Sequence, residues 1–207
     1  MRGFIRERDG RLSAEFEPEE VALLSQLARE TAELVEDWRS GSETPADDVW
    51  RSSSESPNND QWRSSSESRS NTHIETPADD PAMLRLLPDA YRDDAAAAAE
   101  FRRFTADGLA ERKAANARAV VASIGTESTT ATTVRLDEPA VQAWLRVLTD
   151  IRLVLATRLG IEHDGDRGYA DSDAAILLSD IYDWLGIVQS SILDALTEPP
   201  GRAPFQS

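Results

Sequence analysis

The chain has 207 residues, with 38 acidic against 22 basic side chains and a formal net charge of −16. A surface this acidic repels phosphate backbones unless its basic residues share one face, and it favours basic partners. The absence of cysteine excludes disulfides, thiolate catalysis and Cys-ligated zinc. The amino terminus lacks the apolar run of a signal peptide, and no run approaches the roughly 18–20 consecutive apolar residues of a membrane span. We therefore expect a cytoplasmic protein.

The amino-terminal residues carry the clearest strand signal. Asp9-Gly10 separates two short segments, and Asp-Gly is a preferred pair for a two-residue type I′ hairpin turn. An isolated hairpin is only marginally stable, so it needs a third strand. The β-branched run at 131–136 is the candidate, which predicts a small three-stranded antiparallel sheet.

A first helix is predicted from Pro18 to about Trp38. Proline and the neighbouring acids Glu19 and Glu20 suit the positive end of a helix dipole. Apolar residues then recur at three- and four-residue steps, as expected for a helix that buries one face.

Two repeats follow this helix. Glu-Thr-Pro-Ala-Asp-Asp occurs at 43–48 and 75–80, and Trp-Arg-Ser-Ser-Ser-Glu-Ser occurs at 50–56 and 62–68. Because removal of 43–74 closes the sequence in frame, we interpret it as a duplicated segment within a low-complexity, disordered loop over 40–81. The alternative is a pair of recognition motifs with phosphorylatable serines.

The rest of the chain predicts helices. A short apolar turn at 82–87 stops at Pro88, and a helical pattern from Tyr91 to about Ile124 is expected to divide near Asp107-Gly108, since glycine weakens a continuous helix. The five alanines at 95–99 would permit close helix contact.

Two long helices complete the chain. Asp137 caps the first, which should end at Gly160, and the second begins near Ser172. Similar length and a short connection predict an antiparallel pair. The predicted fold is mainly α (α+β), with a helical bundle and a small three-stranded antiparallel sheet in a single domain over 1–207.

Several segments resemble DUF2017, an uncharacterised actinobacterial family. The resemblance is densest in Trp144–Gly160 and Leu178–Leu196, and it extends to Leu86–Tyr91, Glu100–Phe104 and the Met-Arg-Gly-Phe start. It covers most of the chain outside 43–74. The resemblance implies no established activity, although members are sometimes labelled transcriptional regulators and are often encoded near the protease adaptor ClpS.

The last two helices hold one candidate site. Arg152, Arg158 and Gln189 could bind an anionic ligand or a protein partner. The alternative is an interhelical ion pair that fixes the register of the two helices. In that case an arginine contacts the carboxylate of Asp180 or Asp183, and the aromatic rings of Tyr182 and Trp184 exclude water from the pair.

The middle helices hold the main basic content. A nucleic-acid face would gather these side chains against phosphates, with Asn116 reaching base edges. Interleaved acids such as Glu111 favour an ordinary solvated face instead. The candidate residues are Arg102, Arg103, Arg112, Lys113 and Arg118.

Metal and catalytic chemistry have weak signals. The acidic run 162–173 offers oxygen ligands and His163, but it departs from the calcium-loop spacing, and acids before a helix usually act as caps. No catalytic set or glycine-rich phosphate loop is present in the sequence. We therefore predict no cofactor, no metal and no enzymatic activity.

The sequence as a whole favours a cytoplasmic, non-enzymatic adaptor or regulatory protein that acts through protein–protein contacts of its helical surface. Its partner is not specified by the sequence, and homodimer formation would be compatible with it. A winged-helix-like DNA-binding transcriptional regulator is the alternative.

Overall fold

A computed structural model describes residues 2–42, 80–88, 95–125, 130–163, 166, 168 and 172–197. Within these residues the chain forms three strands and five helices, which confirms the predicted mainly α fold with a small antiparallel sheet. The duplicated segment 43–74 lies outside the described residues. The elements, in chain order, are β1 Arg2–Arg6, β2 Leu12–Phe16, α1 Pro18–Ser42, α2 Pro81–Leu86, α3 Ala95–Ile124, β3 Thr132–Leu136, α4 Glu138–Arg158 and α5 Asp173–Thr197.

The sheet has the order β1-β2-β3, with both pairs antiparallel. The hairpin turn differs from the predicted two-residue type I′ turn. Gly10 N donates to Glu7 O at 3.1 Å and Glu7 N donates to Arg11 O at 2.8 Å, which leaves a three-residue loop. Gly10 takes a φ of 87°, as the last residue of such a loop requires.

The first helix is longer than predicted, since α1 continues past Trp38 to Ser42. The second copy of the hexapeptide also has a structural role. The Asp80 side chain accepts a hydrogen bond from Ala82 N at 2.8 Å and so caps α2. Of the segment predicted as a disordered loop, 40–42 belong to α1 and Asp80 and Pro81 begin α2, while 43–79 lie outside the described residues.

The predicted break in the middle helical region is wrong, because α3 runs without interruption through Asp107 and Gly108. Alanines bury one face of this helix at helical spacing, which lets α1 approach closely. This tertiary packing outweighs the roughly 1 kcal/mol that glycine costs in a helix interior. The buried positions include Ala106, Ala110, Ala114 and Ala117.

The two long carboxyl-terminal helices begin and end as predicted. Asp137 Oδ1 accepts from Ala140 N at 3.0 Å at the start of α4, and Gly160 takes a φ of 69° after its end. Ser172 Oγ accepts from Ala175 N at 3.2 Å at the start of α5. Contacts of Thr149 with Gln189 and of Arg152 with Gly186 show that the two helices pack antiparallel.

An aromatic cluster joins the sheet to the helices. Phe4, Phe16 and Trp144 lie with ring centroids 5.8 to 5.9 Å apart, and Trp144 is completely buried. The indole Nε1 donates to Ser123 Oγ at 2.8 Å, so the only polar atom of this side chain has a partner. The core therefore lies between the inner face of the sheet and helices α1, α3, α4 and α5.

Candidate functional site

Among the residues that the structure describes, helix α5 is covered on one side only. Its inner face, which includes Leu185, Val188 and Ile192, is buried in the core. The opposite face carries six exposed residues at steps of three or four, so they form one continuous line along the helix. We call this line the outer stripe; it consists of Ile176, Asp180, Asp183, Ile187, Ser190 and Asp194.

Helix α5 carries most of the large apolar side chains that the described residues expose. Of the six such side chains, five lie on α5. Ile176 (48% exposed) and Ile187 (63% exposed) belong to the outer stripe, whose other four residues are polar, and Leu177 (60% exposed) follows Ile176 on a neighbouring face of the helix. Scattered apolar residues are normal on a surface, but clustered ones mark an interaction site.

The same helix raises the question of a membrane. In the part of the chain that the structure describes, α5 is one helix whose length and composition would allow it to cross a bilayer. Core helices of other proteins have the same composition, and here the inner face of α5 packs against the sheet and α4. Asp180, Asp183 and Asp194 on the outer stripe would be costly in a hydrocarbon interior.

A row of polar contacts links α4 to α5 beside the outer stripe. Arg152 Nη1 donates to Gln189 Oε1 at 3.0 Å, and Gln189 Nε2 donates to Thr149 Oγ1 at 2.9 Å. The guanidinium carbon of Arg152 lies 4.5 Å from the ring centroid of Tyr182, within cation–π distance. The structure thus brings Arg152 and Gln189 together, as the anionic-site hypothesis required.

The other residues of that candidate set lie apart. Arg158 and Asp180 are exposed, and neither forms an ion pair with a described residue. Asp183 lines a groove of about 550 Å³ together with Arg152, Gly186 and Ile187. Within the described residues Arg152 therefore stacks on an aromatic ring and binds an amide, in place of the expected carboxylate.

A second, larger cleft of about 630 Å³ lies where α3, α4 and α5 meet. Its lining combines apolar, polar and cationic side chains. Gln189 and Thr149, which are hydrogen-bonded to each other, both line this cleft. The residues that line this cleft are Leu109, Arg112, Lys113, Asn116, Leu145, Arg146, Thr149, Asp150, Gln189 and Leu193.

The cleft has a buried ion pair at its base. Lys113 Nζ lies 2.5 Å from Asp150 Oδ1, and the two side chains are 16% and 7% exposed. Burial raises the pKa of the Asp150 carboxyl, and the hydrogen bond and positive charge of Lys113 oppose that rise without cancelling it. Sequence reasoning missed Asp150, although a lone aspartate within the apolar pattern of α4 was a detectable signal.

The predicted basic set is not a uniform free face. Lys113 is engaged by Asp150, and Arg118 pairs with Glu36 of α1. Arg112 is exposed at the cleft, next to Asn116. The side chains of Arg102 and Arg103 lie outside the described residues.

The acidic run after α4 acts in part as a local cap. Asp166 Oδ2 accepts from the backbone nitrogen of His163 at 2.8 Å and of Glu162 at 3.3 Å. The His163 hydrogen bond is the main reason that the pKa of Asp166 is lowered. Among the described residues no three His, Cys, Asp or Glu side chains form a group that could hold a metal ion.

One protein-family model matches nearly the whole chain. The family model described as "Domain of unknown function (DUF2017)" matches residues 1–196. The chain therefore belongs to the DUF2017 family, as its carboxyl-terminal helices predicted.

Two related proteins carry the name of a regulator. The chain is 27% identical over 200 residues to the oxidative stress regulator AosR of Mycobacterium tuberculosis and to that of Mycobacterium bovis. The alignment covers 91% of this chain and 84% of those proteins. No solved structure gives a significant match.

Proposed function

We propose that this chain is a non-enzymatic regulatory protein of the cytoplasm that acts by binding a protein partner on the outer stripe of α5. The observation that carries the proposal is the concentration of exposed apolar side chains on one helix. The distant relationship to proteins named as regulators supports the regulatory role.

The charge of the outer stripe favours a basic partner. Asp180, Asp183 and Asp194 form no ion pair with a described residue, so the outer stripe carries three unneutralised carboxylates beside its two isoleucines. A partner segment that offers leucines or isoleucines with interspersed lysines or arginines would match both features. It would also be attracted over a distance by the net charge of −16.

A second copy of the chain is a poorer occupant of the same surface. Two outer stripes in contact would bring the carboxylates of both copies together, and like charges in an interface cost several kcal/mol in total. Both copies would carry the same large negative charge. We therefore propose that a different, basic protein binds the outer stripe, and not a second copy of this chain.

The relatives' name suggests a role in the response to oxidants, and the composition restricts how this chain could take part. These 207 residues hold no thiol that an oxidant could convert to a disulfide or sulfenic acid. Met83, the one methionine among the described residues, is buried. We propose that any oxidant is sensed by a partner, and that this chain transmits the signal by binding.

The test is affinity capture from the native host with a matched pair of variants. Ile187→Asp places a charge in the centre of the outer stripe, whereas Leu84→Asp makes the same kind of change at an exposed leucine of α2. We expect one protein retained by the wild type and by Leu84→Asp but lost from Ile187→Asp. The purified partner should then bind the purified wild type directly, with an affinity that falls as salt increases.

Two results would contradict the proposal. One is retention of every partner by Ile187→Asp in a protein whose melting temperature is unchanged. The other is salt-dependent affinity for DNA below micromolar, which would make the DNA-binding alternative the main account.

A further inference from the structure

The cleft between α3, α4 and α5 has the size and lining of a small-molecule site. Its volume of about 630 Å³ lies within the range of roughly 300–1,000 Å³ that such sites occupy. Leu109, Leu145 and Leu193 supply apolar walls from three different helices. Three helices fix its shape, so it does not depend on a loop.

The cleft is cationic on a strongly acidic protein. Arg112, Lys113 and Arg146 line it, against the single carboxylate of Asp150. That carboxylate is already engaged by Lys113 at 2.5 Å. Arg112 and Arg146 form no ion pair with any described residue, so two guanidinium groups face the cleft without a neutralising acid.

Two uncharged polar side chains of the cleft, Gln189 and Thr149, are held in place by hydrogen bonds. Gln189 bridges Arg152 and Thr149, and Thr149 Oγ1 donates to Leu145 O at 2.8 Å. Asn116 lies one helical turn after Arg112 on α3, within the same lining. A ligand would therefore meet an ordered Gln189–Thr149 pair beside two guanidinium groups that no described acid engages. The preformed part of such a site lowers the entropy lost on binding.

We propose that this cleft binds a small organic anion, in which a phosphate or carboxylate group contacts Arg112 and Arg146 and an apolar part lies against the leucines. Guanidinium groups match both kinds of anion through paired N–H donors. The site is separate from the outer stripe of α5, so the inference does not depend on the proposed protein contact.

The experiment is an NMR titration of the full chain with four simple probes at low ionic strength. Phenyl phosphate and benzoate combine an anion with an apolar ring and separate the phosphate from the carboxylate source. Inorganic phosphate lacks the ring, and benzyl alcohol lacks the charge. We expect phenyl phosphate or benzoate to shift the amide signals of 109–116 and 145–150, with weaker effects from the other two probes.

Variants then assign the contact. Arg112→Gln and Arg146→Gln should each weaken binding of the better probe roughly tenfold, which corresponds to about 1.4 kcal/mol. Arg8→Gln removes the same charge at the hairpin turn, far along the chain from the cleft, and should change the affinity less than twofold. This control separates a local contact from a change in overall charge.

Three outcomes would overturn the inference. The first is the absence of shifts at 109–116 and 145–150 with both anionic probes. The second is equal binding of benzyl alcohol, which would remove the need for an anion. The third is an equal loss of affinity in Arg8→Gln, which would assign binding to the overall charge and not to contacts with Arg112 and Arg146.

Discussion

Lys113 of α3 donates to the carboxylate of Asp150 on α4 at 2.5 Å. The two residues are 37 positions apart in the sequence, and their contact connects the two helices. A lysine that was a candidate for the alternative nucleic-acid face therefore lies largely within the protein. Its partner is the only charged residue that is buried among the described residues. Several consequences for stability depend on this contact.

Removal of one member of the pair should be costly. Lys113→Met leaves the Asp150 carboxylate buried without its partner, so we expect a loss of roughly 3–5 kcal/mol in the free energy of unfolding, measured by urea denaturation. The double variant Lys113→Met/Asp150→Leu should regain most of that loss, because no buried charge remains. A double variant as unstable as Lys113→Met would show that the ion pair is not the source of the loss.

The pH dependence of that variant follows from the pKa of Asp150, which burial raises in the folded state. A folded-state pKa above the unfolded value means that the folded protein binds the proton more tightly. The cost of the ionised carboxylate is therefore fully present above the folded pKa and is relieved as the pH falls through it. Loss of Lys113 removes the group that lowers this pKa, so we expect the stability gap between Lys113→Met and the wild type to narrow as the pH falls. A gap independent of pH would contradict this assignment.

The indole of Trp144 depends on Ser123 for its hydrogen bond at 2.8 Å. Ser123→Ala should cost about 1–3 kcal/mol of unfolding free energy, because the indole N–H stays buried without an acceptor. The same substitution in a Trp144→Phe background should cost much less, since that ring has no N–H to satisfy. Equal costs in both backgrounds would show that Ser123 acts by packing alone.

The continuity of α3 can be tested at its internal glycine. A Cβ added at Gly108 would meet no other atom within 4 Å, so Gly108→Ala should stabilise the protein by about 0.5–1 kcal/mol through helix propensity. Gly10→Ala is the control, since a φ of 87° disfavours alanine and predicts destabilisation. Destabilisation by Gly108→Ala would support the break that the sequence predicted at this point.

Local sequence signals were sufficient to predict where most helices and strands begin and end. Asp137 and Gly160 delimit α4 because a cap and a positive φ act over only a few residues. The hairpin turn type and the supposed break at Gly108 were predicted wrongly because strand register and helix packing outweigh local preference. The alanines that α3 buries are only weakly hydrophobic, so their pattern is hard to recognise in the sequence. They nevertheless form the face that packs against α1.

The candidate site was less accessible to sequence reasoning. The apolar residues of α5 occur on several faces of the helix, and only its neighbours determine that Leu185 is buried while Ile187 is exposed. The cleft joins Arg112 from one predicted set to Gln189 from another, across helices that are distant in sequence. Such combinations depend on the crossing of three helices, which periodicity does not specify.

The most direct measurement of the central claim is site-specific photo-cross-linking in the native host. A benzophenone amino acid replaces Ile187 on the outer stripe, and in a second strain it replaces Leu84 on α2, a similarly exposed position. The account predicts a single basic protein cross-linked from position 187 and not from position 84. Cross-linking of the same proteins from both positions, or cross-linking from 187 only to another copy of this chain, would contradict it.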